Sequence, residues 1–199
     1  MKKISAIFLI LFLTTSCVET VAIGSIAAIA VVAREKTLST TADDVAIAAQ
    51  IDKNFLTSGL KGLSSSIGVM VNEGRVLLTG VVRDENKAHL AAEIAWKVKG
   101  VKEVIDEIEV SKNGVGMRDF SDPLTDSYIT SVIKTKLFFY PQIAPSNYKV
   151  VTFKHVVYLL GVYKSEGDLK ELLRIVSKTY GVKKVVNYVI SADDSRRKS

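Results

Sequence analysis

The chain has 199 residues, room for one ordinary domain or two small ones. Its composition, 48% apolar and 24% charged, is globular and excludes an intrinsically disordered chain. The net charge of +6 suits an anionic partner without identifying one, and the single cysteine, Cys17, excludes an intrachain disulfide.

Lys2 and Lys3 make a basic start, and residues 4–13 (ISAIFLILFL) follow as an apolar run. Ten residues fall short of the roughly 20 that span a bilayer core, but they fit the hydrophobic region of a signal peptide. Export and removal of residues 1–16 are expected, which takes away Lys2 and Lys3 and leaves +4. A lone cysteine in an exported chain is either a free thiol or a site of attachment, and its place directly after the leader favours attachment. Residues 13–17 (LTTSC) resemble the lipobox of bacterial lipoproteins, with the small Ser16 before the cysteine. They depart from it at Thr14, where that family usually has Leu; here Leu13 sits one place early. The resemblance implies cleavage before Cys17 and a diacylglyceryl group on it, often with a third chain such as palmitate. Ordinary signal cleavage and an uncleaved anchor are the alternatives. More than one chain is required for a stable anchor, because each buried CH₂ contributes only about 0.8 kcal/mol. Val18 is not the Asp that retains lipoproteins in the inner membrane of enterobacteria, so the resemblance implies the outer membrane, facing the periplasm.

Residues 21–33 (VAIGSIAAIAVVA) are a second apolar run that is again too short to span. Residues 34–41 (REKTLSTT) read as a polar tether, so 17–41 form the lipidated N-terminus and its tether.

The remainder is a duplication. Residues 76–80 (VLLTG) recur as 157–161 (VYLLG), and 100–104 (GVKEV) recur as 181–185 (GVKKV), both 81 residues on. Asp44, Ile47, Ile51 and Phe55 match Asp126, Ile129, Ile133 and Leu137, 82 residues on, so a one-residue indel lies in the intervening loop. Each copy reads helix, strand, strand, helix, strand. The first helix is expected to start at an Asp N-cap, Asp44 or Asp126, with apolar residues at i+3, i+7 and i+11. Strands are expected at 67–71 and 75–82, around an Asn72-Glu73-Gly74 turn. Their counterparts are 148–152 and 156–162, around Phe153-Lys154-His155, a poorer turn sequence that predicts a different hairpin loop. Asp84 and Ser165 are placed to cap second helices that run to Lys99 and Tyr180, where Gly100 and Gly181 stop them. Residues 101–110 and 182–190 carry the last strands. A linker (111–123) separates the copies, and a charged tail (192–199) is expected to fray.

This pattern resembles the BON domain, a small αββαβ module of bacterial envelope proteins, over residues 42–191. The expected fold is α+β, with modules at 42–110 and 124–191. Lipobox, short apolar stretch and two such modules together are similar to the dual-BON outer-membrane lipoproteins of the DolP type, with the soluble OsmY-like proteins as relatives. That resemblance implies a role in envelope integrity and phospholipid contact rather than catalysis.

The residues point the same way. His89 and His155 sit at non-equivalent places, with no carboxylate or thiol at metal-ligand spacing, and read as surface histidines. No nucleophile elbow or phosphate loop is present, so neither a catalytic group nor a cofactor is assigned. Lysines and aromatics interleave in the second copy, but an exported protein seldom meets nucleic acid.

The copies differ on their first helices. Ala46, Gln50, Asp52, Asn54 and Thr57 are replaced by Tyr128, Val132, Lys134, Lys136 and Phe139. Tyr128, Val132, Thr135 and Phe139 make a stripe beside the core stripe, edged by lysines. Aromatic rings settle at headgroup depth and each nearby lysine contributes about 1 kcal/mol on an anionic leaflet. The second module is therefore expected to dock on anionic phospholipid through Tyr128, Val132, Lys134, Lys136, Phe138 and Phe139, the helix to which the family resemblance also points. One alternative is packing of the stripe against the first module or the linker, under Phe120 and Leu124. The other is an adaptor that engages an envelope protein complex through this helix or the sheet edges.

Overall fold

The computed structural model describes residues 38–58, 66–111, 122–140 and 142–197. The leader, Cys17, the apolar run 21–33, residues 34–37 of the tether, linker residues 112–121 and Phe120 among them lie outside the described residues.

The first module runs α1 (Leu38–Thr57), β1 (Ile67–Asn72), β2 (Arg75–Val82), α2 (Glu85–Trp96), β3 (Glu103–Val110). The second runs α3 (Pro123–Phe138), β4 (Tyr148–Phe153), β5 (Val156–Tyr163), α4 (Glu166–Ser177), β6 (Lys184–Ser191). Both lie within one compact unit, residues 35–199. The predicted αββαβ order is present twice. In each sheet the middle strand pairs antiparallel with its hairpin partner and parallel with the last strand, the intervening helix making the crossover.

Asp84 and Ser165 cap α2 and α4 as expected, accepting from the Asn86 and Asp168 amides. Both helices end three residues short of the expected Lys99 and Tyr180, at Trp96 and Ser177, and the chain then turns through Gly100 and Gly181 at φ +94° and +89°. The helix pair covers one face of each sheet. In the first module Ile47, Ile51 and Phe55 of α1 and Ala91 and Ile94 of α2 bury against Val76 and Leu78 of β2. Ile129, Ile133, Leu137, Leu172 and Ile175 do the same over Val157 and Leu159.

The glycine of the repeated strand motif has a structural cause. A Cβ on Gly80 would stand 1.9 Å from the Ser66 carbonyl oxygen, and one on Gly161 would stand 2.3 Å from that of Asn147. Here the chain entering the hairpin crosses so close to the middle strand that only glycine fits.

The expectation that Asp44 and Asp126 are N-caps is overturned. The α1 helix already includes Leu38, which also shortens the predicted tether, and α3 starts at Pro123 with Asp122 as its cap. Asp44 and Asp126 are buried inside their helices. Asp44 accepts from the Glu73 and Gly74 amides at 3.0 and 2.9 Å. Asp126 accepts from Lys154 and His155 at 2.8 and 3.0 Å. Each carboxylate thus clamps the tip of its own β-hairpin. The turn after the second helix reaches the same point, since Lys102 donates to the Gly74 carbonyl and Lys183 to that of His155, both at 2.9 Å. The aspartate, the hairpin and the glycine-valine-lysine segment recur together because all three meet at one node.

That node also corrects the expected difference between the hairpins. Glu73 and Gly74 have φ of 54° and 79°, and Lys154 and His155 have 50° and 63°. Both loops are two-residue turns with positive φ at both central positions, which matches the twist of the flanking strands. Without glycine the second turn carries a left-handed penalty of roughly 1–2 kcal/mol per residue. The charged bonds to Asp126, and a contact from His155 Nδ1 to the Gly181 carbonyl at 3.0 Å, offset it.

The faces of the sheets turned away from the helices pack on one another. Leu77, Tyr158 and Leu160 form a buried cluster joined by Met70, Ile105, Val151, Phe153, Val186 and Tyr188. Leu77 and Tyr158 are equivalent positions, as are Glu107 and Tyr188, whose side chains hydrogen-bond. Contacts between equivalent positions are what a local two-fold produces. Arg75, 2% exposed, crosses the interface, pairing with Glu103 at 2.5 Å and donating to the Tyr188 carbonyl at 2.8 Å. Lys154 of the second module pairs with Glu109 of the first at 2.6 Å. The tail does not fray over its described part, because residues 192–197 turn back onto the first module.

Candidate functional site

The α3 helix is fixed at both ends and along one side. Asp122 accepts from the Leu124 amide at 3.1 Å and from the Thr125 hydroxyl at 2.7 Å. These bonds, the hydroxyl's first, hold its carboxyl below the usual carboxylate range. Pro123 takes the first helical position, where the missing N–H costs nothing. Ile129, Ile133 and Leu137 drive one face into the core. Thr130 bonds Thr152 on β4 at 2.8 Å, and Lys136 Nζ reaches Thr179 Oγ1, just past α4, at 3.1 Å. At the far end Arg174 of α4 donates to the Tyr140 hydroxyl at 3.2 Å.

The opposite face is left to solvent. Tyr128 is 65% exposed, Phe138 75% and Phe139 73%. The two phenylalanines meet edge to face, with centroids 5.5 Å apart. Lys134 is exposed, while Val132 and Lys136 are half-buried. At helical spacing Leu124, Tyr128, Val132 and Lys136 follow one another at i+4 along a ridge. Phe139 continues the apolar surface beyond Val132, and Lys134 with Phe138 lies on the other flank. Among the predicted residues the structure therefore joins Tyr128, Val132, Lys136 and Phe139 most closely. The alternative of this stripe packed under Leu124 finds no support among the described residues, because Leu124 is itself 81% exposed.

Two residues of this surface escaped the sequence reading. Leu124 belongs to the ridge. Tyr180, 93% exposed, stands between Thr179, which Lys136 touches, and Gly181, against which Ile129 packs. Its signal in the sequence is the exchange of Lys99 for Tyr180 at the 81-residue offset, outside the first helices. In the first module the matching helix positions are Ala46, Gln50, Asp52, Asn54, Leu56 and Thr57; Leu56 is exposed, but none is aromatic or cationic.

His89 lies on an exposed face of α2, 3.9 Å from Glu85 one helical turn before it, which corrects the expectation of no carboxylate beside it; His155 belongs to the hairpin node. Among the described residues no cluster of histidine, cysteine and carboxylate is placed to hold a metal ion, and no helix is long and apolar enough to cross a membrane.

The BON domain family model matches twice, over residues 43–112 and 125–192. The chain belongs to the BON domain family. Its relatives include the "Uncharacterized protein in gshII 5'region" of Anaplasma centrale, 39% identical over 74% of this chain and 93% of that one. The outer membrane lipoprotein DolP of Haemophilus influenzae is 27% identical over 94% of each chain. The osmotically-inducible protein Y of Escherichia coli is 33% identical over 73% of this chain and 71% of that one. The dual-BON organisation of the DolP and OsmY type is thus shown. The exposed helix described above is the first helix of the second BON module.

Proposed function

We propose that this dual-BON chain is a non-enzymatic envelope protein, anchored in the outer membrane by lipid on Cys17, that docks on anionic phospholipid through α3 and supports outer-membrane integrity. The relationship to an outer membrane lipoprotein over nearly the whole chain supports the location. One observation carries the docking: α3 presents the aromatic rings of Tyr128, Phe138 and Phe139 to solvent among Lys134 and Lys136, while the first module has Ala46, Leu56 and Thr57 in place of the rings and Asp52 and Asn54 in place of the lysines. The phenylalanine rings bury apolar area at the headgroup boundary, Tyr128 does so while its hydroxyl stays wet, and lysines read the surface potential of anionic headgroups. The anchor sharpens this. A tethered chain keeps its second contact at high effective concentration near the bilayer, so α3 works even as a weak binder.

The test is sedimentation of the unlipidated chain with vesicles of phosphatidylglycerol and phosphatidylcholine. Binding that rises with phosphatidylglycerol, weakens with salt, and falls at least about tenfold in Tyr128→Ala with Phe139→Ala is the expected result. Binding that is unchanged in that variant removes α3 as the docking surface. Crosslinking in cells that captures one dominant protein through α3 would instead establish the adaptor role.

A further inference from the structure

A cleft of about 620 Å³ opens on the first module between α1, the β1–β2 turn and the turn after α2. Its lining includes Asp43, Asp44 and Glu73 and also Lys99 and Lys102. One lining residue, Arg197, comes from the tail beyond the second module. The Arg197 guanidinium meets the Glu73 carboxylate side-on, Nε to Oε2 at 2.7 Å and Nη2 to Oε1 at 3.1 Å. The two side chains are only 19% and 10% exposed, so this is a seated fork-to-fork pair rather than a surface encounter. Lys102 Nζ donates to the Arg197 carbonyl at 3.0 Å, which holds the backbone as well as the side chain.

The segment is shaped for the seat. The Asp194 amide donates to the Ser191 carbonyl and the Arg197 amide to the Asp194 carbonyl, at 3.1 and 3.2 Å. Arg197 Nη1 folds back on the Ala192 carbonyl. Arg196 pairs with Asp194 at 2.7 Å and approaches Glu103 of β3 at 3.5 Å. The second module has no such seat: Lys154 stands in place of Glu73, Thr125 in place of Asp43, and Lys154 is itself committed to Glu109.

We infer that the rim of this cleft formed by Glu73 and Lys102 is a receptor for an arginine-bearing segment, and that residues 192–197 are its resident ligand, held there by Arg197 and fastening the end of the second module to the hairpin tip of the first. The inference is independent of lipid docking, since it uses neither α3 nor the anchor. It rests on charge complementarity and on the fixed bidentate geometry.

The experiment uses a chain ending at Ser191 and a synthetic peptide of residues 192–199 (ADDSRRKS). The shortened chain should melt about 3–6 °C below the full one, the loss expected when a part-buried ion pair and its backbone bonds go from a chain of this size. The peptide should bind it in trans, shift the amide signals of Glu73, Gly74 and Lys102, and raise the melting temperature again. Glu73→Lys should weaken the peptide at least about tenfold, and Lys154→Glu should not. In the full chain Glu73→Arg with Arg197→Glu should recover most of the stability that either change removes alone, a readout that remains if the shortened chain does not fold. A peptide at millimolar concentration that leaves those amides unmoved, or a reversed pair that recovers nothing, would overturn the inference.

Discussion

The two modules agree where the fold is decided and part company immediately beside it. In both, a buried aspartate of the first helix clamps a two-residue hairpin turn, and a lysine amide ties the turn after the second helix to the same point. Around this shared node the first module has Glu73 and Lys99, and receives Arg197; the second has Lys154 and Tyr180, with Tyr128 and Val132 at the positions of the cleft-lining Ala46 and Gln50. Duplication keeps the groups that the backbone needs and frees the ring around them. One ring combines Asp43 and Glu73 with Lys99 and Lys102 and holds Arg197 of the chain's own tail. The other became apolar and cationic, and faces outward.

The sharpest break in the comparison is at the strand glycines. Gly80→Ala forces a Cβ against the Ser66 carbonyl in a left-handed backbone and should cost about 3–4 kcal/mol. Gly161→Ala meets the Asn147 carbonyl without the left-handed φ and should cost less, about 2–3 kcal/mol, by denaturant unfolding. The aspartate clamp comes next. Asp126→Ala should cost about 3 kcal/mol, and Asp44→Ala about 2 kcal/mol, because only the first turn has a glycine to take the positive φ unaided. Equal losses in the two variants would mean that the turn residues, not the clamp, set the hairpin.

A pH titration separates the copies further. The second module has Tyr148 and Tyr158 where the first has Ile67 and Leu77. Burial first, and then Glu107 and Glu109, push the Tyr158 phenol up to about 12; burial and Asp168 do the same for Tyr148. A raised phenol favours the protonated folded state, so this contribution is complete below the ordinary value near 10 and is lost as pH climbs through about 12. Stability should fall across that window, and Tyr158→Phe should fall less steeply. The smallest effect belongs to the exposed helix face: Tyr128→Ala with Phe139→Ala should change stability by no more than about 0.5 kcal/mol, since neither ring is in the core. A loss above about 2 kcal/mol would show that the stripe serves packing.

Much of this architecture was legible because the chain states it twice. The offsets of 81 and 82 residues place every element, and the strand and turn glycines stand where the backbone demands them. Asp44 and Asp126 misled because a cap and a hairpin clamp both put an aspartate near the start of a helix. Only tertiary structure tells them apart. The packing of sheet on sheet does have a signal in the sequence. Residues 76–82 (VLLTGVV) and 156–162 (VVYLLGV) do not alternate, and a strand apolar on both sides is buried on both sides. The docking of the tail had no local signature, since ADDSRRKS is as polar as any free end. Its partner, Glu73, lies 124 residues away.

Lipid docking is tested most directly by a spin-labelled anionic lipid in vesicles or bicelles, with the backbone amides of both first helices observed at once. The account predicts broadening at Tyr128, Val132 and Phe139 and none at the matching Ala46, Gln50 and Thr57. Equal broadening of both helices, or broadening confined to other parts of the chain, would contradict it.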